Sequence, residues 1–118
     1  MNFTASAKSR RTRGRYAVLA VLLAGMSLTA VAAGPAVHTV VIDGMQFTPA
    51  NLEIRAGDTV IWKNKDPFPH TATVESGAGF DSGEITAGGS WKFIVSKRGT
   101  FSYVCTLHRT MKGQLVVK

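Results

Sequence analysis

The segment Cys105-Thr-Leu-His108-Arg-Thr-Met111 gathers three metal-ligating side chains into seven residues. A thiolate and a thioether are soft donors and imidazole is intermediate, a set that selects copper in either oxidation state over hard cations. Two histidines and a cysteine in a trigonal plane, with a long axial methionine, make a blue-copper electron-transfer centre. The segment holds one histidine, so the second must come from elsewhere, and only His38 and His70 remain. His70 follows Asp66-Pro67-Phe68-Pro69. The two prolines restrict the backbone there, and a rigid approach suits a preorganised site. His38 lies in an N-terminal strand without such framing. The expected ligands are therefore His70, Cys105, His108 and Met111, with His38 a strand or surface residue.

Each of these residues has an ordinary use: a buried cysteine as a small apolar residue, a methionine as a gap filler, histidines on the surface. Coincidence would require the only cysteine, two of three histidines and one of four methionines to fall into ligand order. A structural zinc site fits less well, because such sites use Cys and His and rarely thioether. No nucleophile–base pair or open metal position stands out, so the chain is not expected to be an enzyme. An electron carrier and a copper carrier or storage protein share this donor set, and the ligands alone leave both open.

The elements that must position these side chains are short. After residue 33 no useful helical periodicity is present; runs rich in Val, Ile, Thr and aromatics alternate with Gly, Pro, Asp and Asn. Strands are expected over 37–43, 52–55, 59–64, 70–75, 90–95, 100–105 and 114–118, with a shorter one near 82–86. Val60 and Trp62 share one face of their strand, as do Trp91, Phe93 and Val95. Seven or eight such strands predict an all-β, two-sheet sandwich, with Trp62, Phe93, Phe101 and Tyr103 filling its interior. Cys105 ends a strand, the chain folds back through His108 and Met111, and Gly113 is expected to permit the turn into the last strand.

The first 33 residues read as a secretory signal peptide: Lys8, Arg10, Arg11, Arg13 and Arg15, then an apolar run from Tyr16, then Ala30-Val31-Ala32-Ala33. Cleavage is expected after Ala32 or Ala33, leaving residues 34–118 as one domain. The rival is an uncleaved anchor, which Gly25, Ser27 and Thr29 dilute. Arg10-Arg11 hints at twin-arginine export, although Thr12-Arg13-Gly14 lacks the hydrophobic residue such signals place after the pair. The leader also explains the charge. The whole chain carries +7, but from Gly34 onward nine Lys/Arg face seven Asp/Glu, 9 − 7 = +2. That balance leaves no electrostatic footprint for nucleic acid. In an oxidising compartment, a lone thiol needs burial, a partner or a metal.

The residues that carry these readings resemble the cupredoxins, and among them the small blue-copper proteins of amicyanin-like and plastocyanin-like type. The resemblance rests on Met45-Gln-Phe-Thr-Pro49, Ala56-Gly-Asp-Thr-Val-Ile-Trp62, Pro69-His70, Gly79-Phe-Asp-Ser-Gly83 and Gly99–Met111. It implies an eight-stranded Greek-key sandwich with type 1 copper near one end. It further implies a periplasmic, monomeric electron carrier with redox-protein donors and acceptors docking near His108, and no stable membrane insertion after cleavage. Two departures stand out. Relatives often place Asn after the first histidine to tie the ligand loops together, where this chain has Thr71, and many carry Pro in the ligand loop, where this chain has Leu107 and Arg109.

Overall fold

The computed structural model describes residues 33–118 continuously, residues 19–30, and positions 2, 4, 14 and 17. Lys8, Arg10, Arg11, Arg13, Arg15, Val31 and Ala32, on which much of the signal-peptide expectation rests, lie outside the described residues. Residues 19–30 form no helix or strand, and their leucines and valine are exposed. No described helix is long and apolar enough to cross a membrane.

From Val37 the chain is all β. Eight strands, β1 (Val37–Asp43), β2 (Gln46–Thr48), β3 (Asn51–Ile54), β4 (Thr59–Asn64), β5 (Thr73–Val74), β6 (Ser90–Ile94), β7 (Gly99–Val104) and β8 (Lys112–Val117), form two four-stranded sheets. One sheet runs β2-β1-β4-β6 and the other β3-β8-β7-β5. Apart from the β1–β2 and β7–β8 hairpins, each connection changes sheet. β1 and β4 pair in parallel, as do β3 and β8, and the remaining pairs are antiparallel.

Alternation builds the core. Val40 and Ile42 of β1, Val60 and Trp62 of β4, and Tyr103 of β7 are fully or almost fully buried. Val40 lies opposite Trp62, and Trp62 opposite Trp91, across three neighbouring strands. A side chain such as Val or Leu contributes about 1.5–3 kcal/mol when buried in this way. Phe93 and Phe101 are half-buried and pack against the cluster rather than inside it.

Three local readings differ from the sequence expectation. The strand expected over 70–75 shrinks to Thr73–Val74, with His70 held by an isolated bridge to Ile85, and 82–86 contributes that one bridge rather than a strand. Side-chain bonds replace the ladder there: Ser82 Oγ accepts from Ala72 N (2.7 Å) and Asp81 Oδ1 from Gly83 N (2.9 Å). The short β2 was not expected; its register on β1 is set by the Gly44-Met45 turn, where both residues have positive φ. Gly113 is not a turn residue but lies within β8 opposite Tyr103. A Cβ at Gly113 would collide with the hydroxyl end of the Tyr103 ring, so glycine is needed there for space.

Candidate metal centre

The three-residue spacing of Cys105, His108 and Met111 is the spacing of a turn hydrogen bond. His108 N donates to Cys105 O (3.2 Å) and Met111 N to His108 O (2.9 Å), and Cys105 N closes the loop on Met111 O (3.1 Å). Two successive turns thus fold the segment back on itself just after β7 ends at Val104. Met111 is buried against the core beneath this loop.

His70 arrives from the connection between β4 and β5. Its backbone exchanges both hydrogen bonds with Ile85 (3.1 and 2.7 Å), and its ring is fully buried. His70 Nδ1 and His108 Nδ1 each lie 3.7 Å from Cys105 Sγ, and the three donor atoms lie within 4.8 Å of one another. Among the described residues this is the one such cluster of His, Cys, Asp and Glu. Bonds of about 2.3 Å to sulfur and about 2.0 Å to imidazole nitrogen, opened by about 120°, put those donors about 3.7 Å apart. The observed spacing therefore fits one first-row ion between them. Cys105 is fully buried and His108 half-buried, so the cluster reaches solvent through His108.

The orientation of His70 is set by Asp66, which the sequence reading named only as the start of the proline-containing stretch before His70. Asp66 Oδ2 lies 2.9 Å from His70 Nε2. A carboxylate only accepts, so Nε2 carries the proton and Nδ1 turns its lone pair toward the thiol, the arrangement common beside metal-bound histidines. Asp66 also accepts from Gly44 N (2.8 Å) and Met45 N (2.9 Å). The Met45 amide, then the Gly44 amide and the His70 ring, lower the Asp66 pKa against burial, which raises it. A signal was present in the sequence: a carboxylate four residues before His70, across two prolines.

Thr71, which stands where relatives often place Asn, joins the two loops. Its N–H donates to Cys105 Sγ (3.3 Å), and its Oγ1 accepts from Thr106 N (2.8 Å). The two ligand loops are therefore tied at the sulfur and one residue beyond it. The Thr71 hydroxyl also meets the hydroxyls of Thr106 and Thr73, each at 3.1 Å. His38 stays out of the cluster. Its Nε2 lies 2.9 Å from Oδ2 of Asp58, the residue just before β4.

A family model described as a cupredoxin-like domain matches residues 15–117. Amicyanin-alpha of Methylorubrum extorquens is 33% identical over 108 residues, covering 87% of this chain and 90% of that protein. A solved structure of an amicyanin mutant in its Cu(I) form superposes with TM-score 0.63 at 29% identity, covering 75% of this chain and 86% of that one. A Cu-containing nitrite reductase from Thermus scotoductus matches with TM-score 0.66 at 32% identity, over 75% of this chain but 24% of the reductase.

Proposed function

Because the chain belongs to the cupredoxin-like family, we propose that it is an exported blue-copper electron carrier whose copper is held by His70, Cys105, His108 and Met111. The observation that carries this reading is the convergence of Cys105 Sγ on two imidazole nitrogens at 3.7 Å each, with His70 already turned by Asp66. Copper bound there supplies a one-electron couple between its Cu(II) and Cu(I) states. The protein's own part is to hold the donors still. Cys105 is tied by the Thr71 amide, His70 by Asp66 and the Ile85 bridge, and the loop by its turn bonds. Donors that do not rearrange keep the reorganisation accompanying electron transfer small, and Met111 would be the fourth, weakly bound donor through its thioether. Nothing in this arrangement needs a bound substrate, which favours a carrier over an enzyme.

Docking is proposed around His108. Leu107 (47% exposed), Phe68 (56%) and Met45 (38%) emerge from the three loops that Asp66, His70 and Cys105 bind together. Arg109 and Lys112 lie at the rim; Lys112 is loosely paired with Glu75 at 3.9 Å, and Arg109 forms no ion pair among the described residues. An apolar centre with a positive edge suits an acidic redox partner, charge acting chiefly on association rate.

The leader reading extends to this chain as a periplasmic proposal, with cleavage after Ala32 or Ala33. It is supported by Asp58 holding the Ala36 amide at 2.9 Å, so the folded domain begins just beyond that point. The relationship to amicyanin favours electron carriage over copper delivery. Adding Cu(II) to the purified protein tests the reading: an intense visible thiolate-to-copper band is expected, and a colourless protein overturns it. Transfer of copper to an apo-acceptor faster than electron exchange would instead identify a delivery protein.

A further inference from the structure

The core contains an aromatic series that the copper reading leaves unused. Tyr103 precedes Cys105 by two residues, so both project from the inward face of the same strand line, about 7 Å apart, and both are buried. The Tyr103 ring meets Trp62 edge-on with centroids 5.7 Å apart, and Trp62 meets Trp91 at 5.4 Å. Trp91 in turn stacks on Phe93, 5.4 Å away and only 12° from parallel. Pairing enforces the central step, since Trp62 and Trp91 are register partners across β4 and β6. The series also changes in exposure. Trp62 is wholly buried, whereas Trp91 is half-buried on β6, an edge strand.

The Trp62 indole has an unusual environment. Its Nε1–H is buried and comes near the Tyr103 hydroxyl without completing a hydrogen bond. Buried donors are nearly always paired.

We propose that Trp62 and Trp91 form a second electron route, bridged to Cys105 by Tyr103, which drains oxidising equivalents from the β6 edge into the reduced copper centre. The proposal rests on the copper reading above. A strong one-electron oxidant, of the class of the azide radical, takes one electron from the Trp91 indole. Trp62 refills Trp91, and the reduced centre refills Trp62. One electron thus passes from the centre to the oxidant, and no bond forms or breaks. No base stands at Trp62 Nε1 to take its proton, so the oxidised ring keeps the proton and is refilled directly. A positive ring in an apolar core is disfavoured, which makes Trp62 a point of transit and not a trap. The route leaves by the side of the sandwich, apart from the ligand loop that carries His108.

Pulse radiolysis of the reduced, copper-loaded protein with azide radical tests this. A tryptophan-radical signal should decay in a first-order phase, independent of protein concentration, as the blue band appears at the same rate. Trp62→Phe should slow that phase at least tenfold, and Tyr103→Phe should change it less than threefold. In metal-free protein Trp91→Phe should at least halve the radical yield, because the other core indole is shielded. Circular dichroism establishes that Trp62→Phe folds; if it does not, copper-loaded Trp91→Phe must lose the first-order phase. A blue protein whose phase is unchanged in both tryptophan variants has no such route. A protein that stays colourless with copper loses the centre and the route together.

Discussion

The two ends of β4 carry the same device and put it to different use. At one end Asp58 accepts from Ala36 N (2.9 Å), Arg55 N (3.0 Å) and His38 Nε2 (2.9 Å). At the other Asp66 accepts from Gly44 N, Met45 N and His70 Nε2 at 2.8, 2.9 and 2.9 Å. Each is a mostly buried carboxylate that takes two backbone amides and one imidazole. The difference lies on the far side of the imidazole. His70 is fully buried and its Nδ1 faces Cys105 Sγ, whereas His38 is half-buried on β1 and belongs to no donor cluster. An Asp–His pair is therefore a staple by default, and it aims an imidazole at a donor cluster only where the fold brings a thiol to the other nitrogen.

The largest effect should come from removing that thiol. Cys105→Ser replaces the only soft anionic donor by a hard, weakly acidic hydroxyl, so the visible band should vanish while far-UV circular dichroism stays close to wild type. A variant that remains blue would take Cys105 out of the centre.

Next in size are the two carboxylates, which should separate cleanly. Asp66→Asn should weaken copper binding by about 10–100-fold, the usual cost of losing a partner behind a metal-bound histidine. Asp58→Asn, and likewise His38→Ala, should leave copper affinity and spectrum unchanged and lower only the melting temperature. Competitive copper titration and thermal melts decide between these outcomes. Equal losses of affinity in Asp58→Asn and Asp66→Asn would erase the distinction between the two ends.

Acid should sharpen the same contrast. The Ala36 amide, the His38 ring and the Arg55 amide hold Asp58 at about 2, below its ordinary 3.8. Its folded pKa is depressed, so its contribution to stability is complete above the ordinary value and is lost as pH falls from about 3.8 towards about 2. Asp66 is shifted in the same direction and adds to the loss. Denaturant melts of the metal-free protein between pH 5 and pH 2 should therefore show a shallower decline for Asp58→Asn than for wild type. Parallel curves would mean that the Asp58 staple contributes nothing to acid sensitivity.

The smallest effect is expected at the rim of the metal end. Arg109→Gln/Lys112→Gln should flatten the salt dependence of electron transfer with an acidic partner by a few-fold in rate and leave the spectrum untouched. Stopped-flow rates over a range of ionic strength measure it, and identical salt slopes in the two proteins would move the docking site elsewhere.

How far the sequence reached differs between these regions for physical reasons. The ligand loop was legible because its chemistry is local: donors three residues apart coincide with consecutive turn hydrogen bonds, and nothing distant is needed to bring Cys105, His108 and the Met111 backbone together. Strands β1 and β4 were legible because alternation over six or seven residues has one solution, with Val40, Ile42, Val60 and Trp62 inward. The stretch 70–86 was not, because hydrogen bonds accepted by the Ser82 and Asp81 side chains, one of them donated by Thr73, replace most of its ladder and leave no periodicity to read.

By itself, then, the order of residues determined the all-β class and the choice of His70 over His38 as the neighbour of Cys105 and His108, since each follows from residue type and short-range spacing. Only the tertiary structure decided that Asp66 orients His70, that Thr71 reaches across 35 residues to tie Thr106, and that Gly113 exists to make room for Tyr103. Those are contacts between loops that approach one another only once two sheets have closed over a shared core, and a one-dimensional pattern has no way to encode the distance between them.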